Sequence, residues 1–480
     1  MRFLMAVIAG LTALHFQAVA QQGNNVWSLQ RCIQYAVDHN ISIKQDSLTA
    51  RLARYTVQQS QLAQIPAVSA SGSYGKSFGR SINPTTNQFV EGGYKFLSAS
   101  GNANAVVFSG MQVRNNITRN KYSLQAAIAD LDQLKDDVSL NVANGYLAAL
   151  LAMEQINIST NQVTVSKAQL SQTRSFAEAG RLPELNVAQL ESQLASDSAN
   201  LINSISAYNS AILDLKALMN LDFSEPVTIE VPQAEVGDQI AVNAMQPGDI
   251  FEKAHMHFGA IKGSHLRVLA AQKGVAAARG GLYPQLSVGY QLGTNFASNY
   301  QAYTYKSDGF QNTGAYALDS ATKNFYQVYQ PAFTATGTMI PFNTQFDNNL
   351  RQSLFLNLNI PIFNGWQARY NIVQSKINLE SQRLNEYNAE LTLKQNVYKA
   401  HNNAINSIHK YDAARRANDA AARALEFARK RYDLGLTSTV DLLVTQNSQF
   451  NAASNLVLAK YDLLFKLKVI DYYLGKEIKL

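Results

Sequence analysis

Two stretches of this chain switch from a period of two to a period of seven within a few residues, and they do so 255 positions apart. In Ser353–Trp366, Leu354, Leu356, Leu358, Ile360 and Ile362 alternate with Ser353, Asn357 and Asn359, as in a strand with one apolar and one polar face; only Phe355 breaks the pattern. Directly after Asn364-Gly365, Tyr370, Ile377, Leu384, Leu391, Tyr398 and Ile405 recur every seven residues, the spacing of a long supercoiling helix. Earlier, Leu97, Ala99, Gly101, Ala103, Ala105 and Val107 alternate with Ser98, Ser100, Asn102 and Asn104 and end in Phe108-Ser109-Gly110. The offset from Gly110 to Gly365 also aligns Gly180 with Gly435, Asn186 with Asp441, Leu201 with Leu456 and Asn220 with Gly475. The chain is an internal duplication.

Each copy reads helix, strand, strand, helix, helix. Repeat 1 covers 21–221, with helices expected at about 27–65, 110–175 and 184–220 and strands at about 67–78 and 96–108. A connector at 222–248, with two prolines around V-T-I-E-V, suggests a short strand and turns. Repeat 2 covers 249–480, with helices at about 250–283, 366–431 and 438–474 and strands at about 285–296 and 353–363. Pro66 and Pro284 end the first helix of each copy, because a residue preceding proline is disfavoured in helix. These prolines stand 218 apart, so 37 extra residues lie between the strands of the second copy, within Ala297–Gln352. That segment is rich in Tyr, Phe, Asn, Gln and Thr and poor in aliphatic residues, which predicts a long surface loop outside the cell rather than a domain. The helical pairs break at Ala179-Gly180-Arg181-Leu182-Pro183 and Leu434-Gly435-Leu436-Thr437-Ser438, each with a glycine helix stop.

Residues 1–20, with one Arg, an apolar run and Ala18-Val19-Ala20, fit a cleavable secretory signal. Cys32 is the single cysteine, so no intrachain disulfide is expected despite export. The net charge of +7 is scattered rather than striped, which argues against nucleic acid as a partner. Gly75-Lys76-Ser77 has the end of a phosphate loop, but Ala70 stands where the loop needs Gly and no helix follows. His255 and His257, two apart on a helix, point to different faces and make no metal site. No converging nucleophile, base or carboxylate set is visible, so neither an enzyme nor a cofactor is expected.

Lengths constrain the architecture. A helix of about 65 residues spans about 97 Å, and each neighbour of about 36 residues about 54 Å, so two short helices end to end match one long one. Four strands cannot close a barrel, and open edges are not tolerated in lipid, so several chains must share one. Each strand has the length that crosses a bilayer when tilted, whereas no segment offers the apolar run of a spanning helix.

The duplicated order, the strand-entering prolines, the L-N-I-P-I-F-N-G-W junction and the two glycine tips together resemble the TolC family of bacterial outer-membrane efflux channels, over essentially all of Gln21–Leu480. The resemblance implies an α+β membrane protein: a homotrimer with a 12-stranded outer-membrane barrel continuous with a periplasmic helical coiled-coil barrel. It implies a passive exit duct in the Gram-negative outer membrane, in contact with its lipid and served by a periplasmic adaptor and an inner-membrane transporter. The alternatives are a type I protein secretion duct and, from other classes, a secreted coiled-coil adhesive protein or an outer-membrane enzyme. By position, the resemblance makes Tyr432, Asp441, Val444 and Asn186 candidates for the periplasmic gate, and the tips at Gly180, Arg181 and Leu182 and at Gly435, Leu436 and Thr437 candidates for adaptor docking. Family gates carry aspartate rings, so Val444 and Asn186 imply a gate that is less acidic and partly apolar.

Overall fold

The computed structural model of the chain describes residues 26–82, 89–231, 245–476 and 478; the expected signal and residues 232–244 of the connector lie outside them. In chain order the first copy comprises β1 (Val26–Trp27), α1 (Leu29–His39), α2 (Ile41–Leu62), β2 (Ala67–Ser77), β3 (Ser81–Ile82), β4 (Phe89–Val90), β5 (Tyr94–Ser109), α3 (Gln112–Glu178) and α4 (Glu184–Met219). After β6 (Thr228–Ile229) come α5 (Pro247–His257), α6 (Gly259–Gly280), β7 (Gln285–Ala297), β8 (Gln301–Leu318), β9 (Phe325–Met339), α7 (Phe342–Asn348), β10 (Arg351–Asn359), α8 (Gln367–Asp433) and α9 (Thr439–Tyr473). Residues Thr56–Asn120 with Gln272–Ile377 form one compact unit, and the remainder another.

The duplication is visible in the backbone. Left-handed φ occurs in pairs 255 apart: Gly110 and Gly365 (57° and 60°), Met111 and Trp366 (63° and 68°), Gly180 and Gly435 (68° and 71°), Asn220 and Gly475 (54° and 71°). Each strand-to-helix junction thus uses two successive left-handed residues, the second carrying a side chain at a steric cost that L-residues rarely accept. At Gly110 glycine is required twice over, since a Cβ there would stand 2.5 Å from the Gly280 carbonyl oxygen.

The first helix expected in each copy is broken in two. Asn40 (φ −59°, ψ 129°) and Phe258 (φ −64°, ψ 122°) are single extended residues between helices, 218 positions apart like the two prolines. Asn40 Oδ1 accepts from the amides of Ser42 (2.9 Å) and Ile43 (3.3 Å), capping the new helix. Phe258 instead packs edge-on against Tyr472 at 5.6 Å. One extended residue leaves the apolar stripe nearly in phase, so helical periodicity does not reveal the break.

In the strand unit, β2-β5-β7-β10 form a four-stranded antiparallel sheet in that order. Register puts Leu286, Val288, Tyr290 and Leu292 with Leu354, Leu356 and Leu358 on one face, and Ser71, Ser73, Ser98, Ser100, Gln291 and Asn357 on the other. The apolar face is open: Val68, Leu354 and Leu356 are 78 %, 75 % and 73 % exposed. The polar face borders a hollow of 690 Å³ lined by Ser98, Ser100, Gln291, Asn295, Arg351 and Ser353. Phe355, the exception to the alternation, lies on this polar face opposite Gly289, where its ring fills the space a Cβ would take (Cζ 2.3 Å from that position).

The segment expected as a loop is mostly a long β-hairpin, which corrects the sequence reading. β8 pairs with β9 from Gln301↔Met339 to Leu318↔Phe325, interrupted by two register shifts. Tyr303, Tyr305 and Phe333 share one face of its first half, with Thr304, Lys306, Thr334 and Thr336 on the other. Aromatic and Thr residues suit strands as well as aliphatics do, but the register shifts erase the strict alternation by which a strand is recognised. α7 then returns to the sheet, tied by the buried Gln345 side chain to the Ala297 amide and carbonyl (both 3.0 Å).

The helical unit has its main core where α1, the middle of α3 and the ends of α4 and α9 meet, around Val142, Tyr146, Leu150, Leu215 and Met219. A second cluster joins α5, α8 and α9 around Ile250, Val397, Leu463 and Ile470. Burying such side chains is worth about 1.5–3 kcal/mol each, which offsets the entropy of ordering long helices. β1 pairs in parallel with β6, and the Tyr146 hydroxyl lies 2.9 Å from the Trp27 carbonyl oxygen and 2.7 Å from that of Glu230, fixing this ribbon to α3. The end of α4 abuts the α1–α2 break, where Ile41 N donates to Asn220 Oδ1 at 3.0 Å.

Candidate functional site

Both helical hairpins turn by the same device. Gly180 N donates to the Ala177 carbonyl (2.8 Å) and Arg181 N to that of Phe176 (2.8 Å); in the second copy Gly435 N donates to Tyr432 (2.9 Å) and Leu436 N to Arg431 (2.8 Å). This bond pair is a Schellman turn, which satisfies the last helical carbonyls and needs a left-handed residue, here glycine. Gly180, Arg181, Gly435 and Leu436 are exposed, and Leu182 and Thr437 are half-buried. The Arg181 guanidinium sits over the Phe176 ring at 4.6 Å.

The return helices begin differently. Pro183 starts α4 without a side-chain cap, whereas Ser438 starts α9 by accepting from Asp441 N (3.1 Å) while its hydroxyl donates to Asp441 Oδ2 (2.6 Å). The bond to the Asp441 amide is the N-cap bond of α9, and the hydroxyl–carboxylate bond reinforces it. Hydrogen bonds from the Ser438 hydroxyl and, after it, the Ser438 backbone amide hold the exposed Asp441 carboxyl below the usual aspartate range. Asn186, at the matching place in α4, is half-buried.

Tyr432 and Val444 have opposite environments. Val444 is 64 % exposed. Tyr432 is buried with Leu425 and Leu442, and its hydroxyl lies 3.0 Å from Thr173 Oγ1 of α3 and 3.4 Å from Thr439 Oγ1 of α9. It therefore ties the end of α8 to the first hairpin. Sequence reasoning placed Tyr432 at the tip but missed Thr173, whose copy-related position is Ala428, so the duplication gives no hint of the pair.

The layer behind the tip is also polar. Ser159, Ser166 and Thr173 continue the heptad phase of Val138, yet all three are buried. Ser166 Oγ donates to the buried Asp197 carboxylate (2.5 Å), which also accepts from Gln162 (3.3 Å) and Gln193 (2.9 Å), while Gln446 of α9 donates to Ser166 (3.2 Å). These hydroxyls and amides read in sequence as helix surface, although every seventh position betrays them. Of the two histidines weighed as metal ligands, His255 bonds to Glu390 of α8 at 3.3 Å and His257 to the Lys253 carbonyl of its own helix at 2.6 Å.

A duplicated chain with two helical hairpins and a four-stranded sheet, one face of which is mostly apolar and carries exposed Val68, Leu354 and Leu356, has the form of an outer-membrane channel protein. The sequence profile described as outer membrane efflux protein matches residues 32–221 and 259–476, one span in each copy. The chain belongs to that family: it is a non-enzymatic outer-membrane efflux duct that reaches into the periplasm, of a family that works with an adaptor and an inner-membrane pump. It is 22% identical to outer membrane protein TolC of Salmonella enteritidis, over 99% of this chain and 86% of that one. To toxin and drug export protein A of Aggregatibacter actinomycetemcomitans it is 19% identical, over 91% and 83%. Among solved structures it resembles the outer membrane protein VceC of Vibrio cholerae (TM-score 0.73, 15% identity, 94% and 97% covered) and the Campylobacter jejuni CmeC outer membrane channel (TM-score 0.72, 17%, 94% and 86%).

Proposed function

We propose that three copies of this chain close one barrel in the outer membrane, that the two helical tips dock the adaptor, and that Asp441 and Val444 line a periplasmic gate. The carrying observation is the sheet itself: β2 and β10 are its two edges, and its apolar face leaves Val68, Tyr74, Leu354, Leu356 and Leu358 exposed. Unpaired edges in hydrocarbon cost several kcal/mol per backbone group, so the sheet is complete only against further copies. Eight strands make a barrel whose interior side chains fill, whereas twelve leave room for a passage lined by the serine, asparagine and glutamine face.

The helical tips support the other half of the reading. Their exposed backbone turns and apolar residues, Leu436 (63 % exposed) in particular, offer grooves of the kind into which a partner's helical hairpin lays its apolar face. The polar seam behind them suits a mouth that opens, since sliding Ser166, Asp197 and Gln446 past one another exposes little apolar surface. In a closed trimer, three copies of Asp441 near the axis attract cations, and Val444, one turn on, adds a ring that dewets.

Cysteines at Leu182 and Leu436 test the docking. Each is expected to crosslink to the adaptor in cells, and crosslinks arising only near Val227 would move docking to the connector.

A further inference from the structure

The apolar face of the sheet ends in two lysines. Lys76 of β2 and Lys95 of β5 stand directly opposite each other in an unbroken register that runs from Ala67↔Asn104 to Ser77↔Tyr94. They share a face with Tyr74 and Leu97, one step nearer the helices, and Leu97 pairs in turn with Phe296 of β7. Phe296 meets the Phe342 ring edge-on at 5.2 Å. From the helix end outward, this face runs through mostly aliphatic and small residues, with Tyr290 and Gln352 among them, then the row of Tyr74, Leu97 and Phe296, then two ammonium groups.

Like charges directly opposite across an antiparallel pair destabilise it. Among the described residues neither lysine has an acidic partner, and Glu91, the acid of the β4–β5 connection, pairs instead with Arg80 at 3.9 Å. The Lys76 stem runs 3.2 Å from where a Gly93 Cβ would stand, and its Nζ lies 4.9 Å from the Phe78 ring centroid. Both side chains are exposed. An aromatic row marks the level where lipid chains give way to headgroups, and lysines just beyond it meet headgroup phosphates.

We infer that Lys76 and Lys95 together hold a phosphate carried on a lipid headgroup of the outer leaflet, with the lipid's acyl chains lying along Tyr74, Leu97 and Phe296. The inference rests on the barrel reading above, which puts this face toward lipid and these strand ends outward. The phosphate accepts from both ammonium groups and screens their mutual repulsion, so occupancy stabilises the β2–β5 pair.

The test is thermal unfolding of the full-length protein in a neutral maltoside detergent, titrated with bisphosphorylated lipid A, dephosphorylated lipid A or inorganic phosphate. Bisphosphorylated lipid A is expected to raise the midpoint, and the other two to leave it in place. In the Lys76→Gln/Lys95→Gln variant the shift is expected to need on the order of thirtyfold more lipid. That variant without lipid is expected to unfold no earlier than the wild type, because the repulsion is gone; an earlier midpoint contradicts the unpaired-lysine account. An equal lipid A shift in both proteins, or an equal shift with dephosphorylated lipid A, overturns the site. An equal shift with inorganic phosphate makes it a free-anion site and overturns the lipid assignment. Native mass spectrometry of the same samples separates the two readings, since trimers without a phosphate-dependent shift count against the lipid site alone, and monomers count against the barrel.

Discussion

Tyr432 of α8 and Thr173 of α3 meet hydroxyl to hydroxyl at 3.0 Å in a buried layer just behind the helical tips. The bond joins the two hairpins of one chain and takes the Tyr432 side chain away from any exposed ring of gate residues. Tyr432→Phe keeps the ring's packing against Leu425 and Leu442 but removes the bond, at a cost of about 1 kcal/mol. A leakier resting mouth is expected, read as a higher single-channel conductance in planar bilayers. Unchanged conductance would show that the bond only holds the fold.

Asp441 and Val444 bear on selectivity. Asp441→Asn keeps a side chain able to meet Ser438 but removes three charges from a trimeric mouth, so cation selectivity and block by divalent cations should fall. Val444→Asp should wet the mouth and raise conductance. If neither variant alters conductance, selectivity or block, the two residues do not line the constriction.

The cap at Asp441 is also pH-dependent. Its folded carboxyl titrates below the ordinary value of about 3.9, so the stabilisation it gives is fully present above that value and is lost as pH falls through the lower folded one. Amide exchange in the first turn of α9 should therefore quicken as pH falls below the ordinary aspartate value, beyond the intrinsic pH trend, and Ser438→Ala should remove that dependence. The turn at Gly180 lacks a capping carboxylate and serves as the internal control.

The Phe355 ring over Gly289 predicts a coupled pair. Gly289→Leu has to displace the ring and should destabilise the sheet by about 1–3 kcal/mol. Phe355→Ala should relieve much of that cost, so the double variant is expected to be more stable than the sum of the two single ones. Strict additivity in unfolding midpoints would contradict the contact.

How far the sequence spoke depends on the kind of signal. Leu354, Leu356 and Leu358 announced β10 because they alternate along one face of that strand, and the recurrence of glycine at 110, 180, 365 and 435 announced the turns because each needs a left-handed residue. The breaks at Asn40 and Phe258 stayed hidden because a single extended residue hardly disturbs the apolar stripe. The β8–β9 hairpin stayed hidden because its register shifts break the alternation. At the tips, Gly180 and Gly435 were legible from local chemistry, but the Tyr432–Thr173 contact joins residues 259 positions apart by two hydroxyls, a pairing no period encodes.

The hairpin offers a test of the proposed orientation, which puts it outside the cell. Lys323 lies exposed in the turn between β8 and β9. Trypsin added to intact cells should cut after it, and cutting only after the outer membrane is breached would reverse the assignment of the outer end.

The central claim is that β2 of one chain and β10 of the next close a shared barrel. Native mass spectrometry of the full-length protein, released from detergent micelles, tests it most directly. The account predicts a single species of three chains. A stable monomer, inserted in membranes with both sheet edges unpaired, would contradict it.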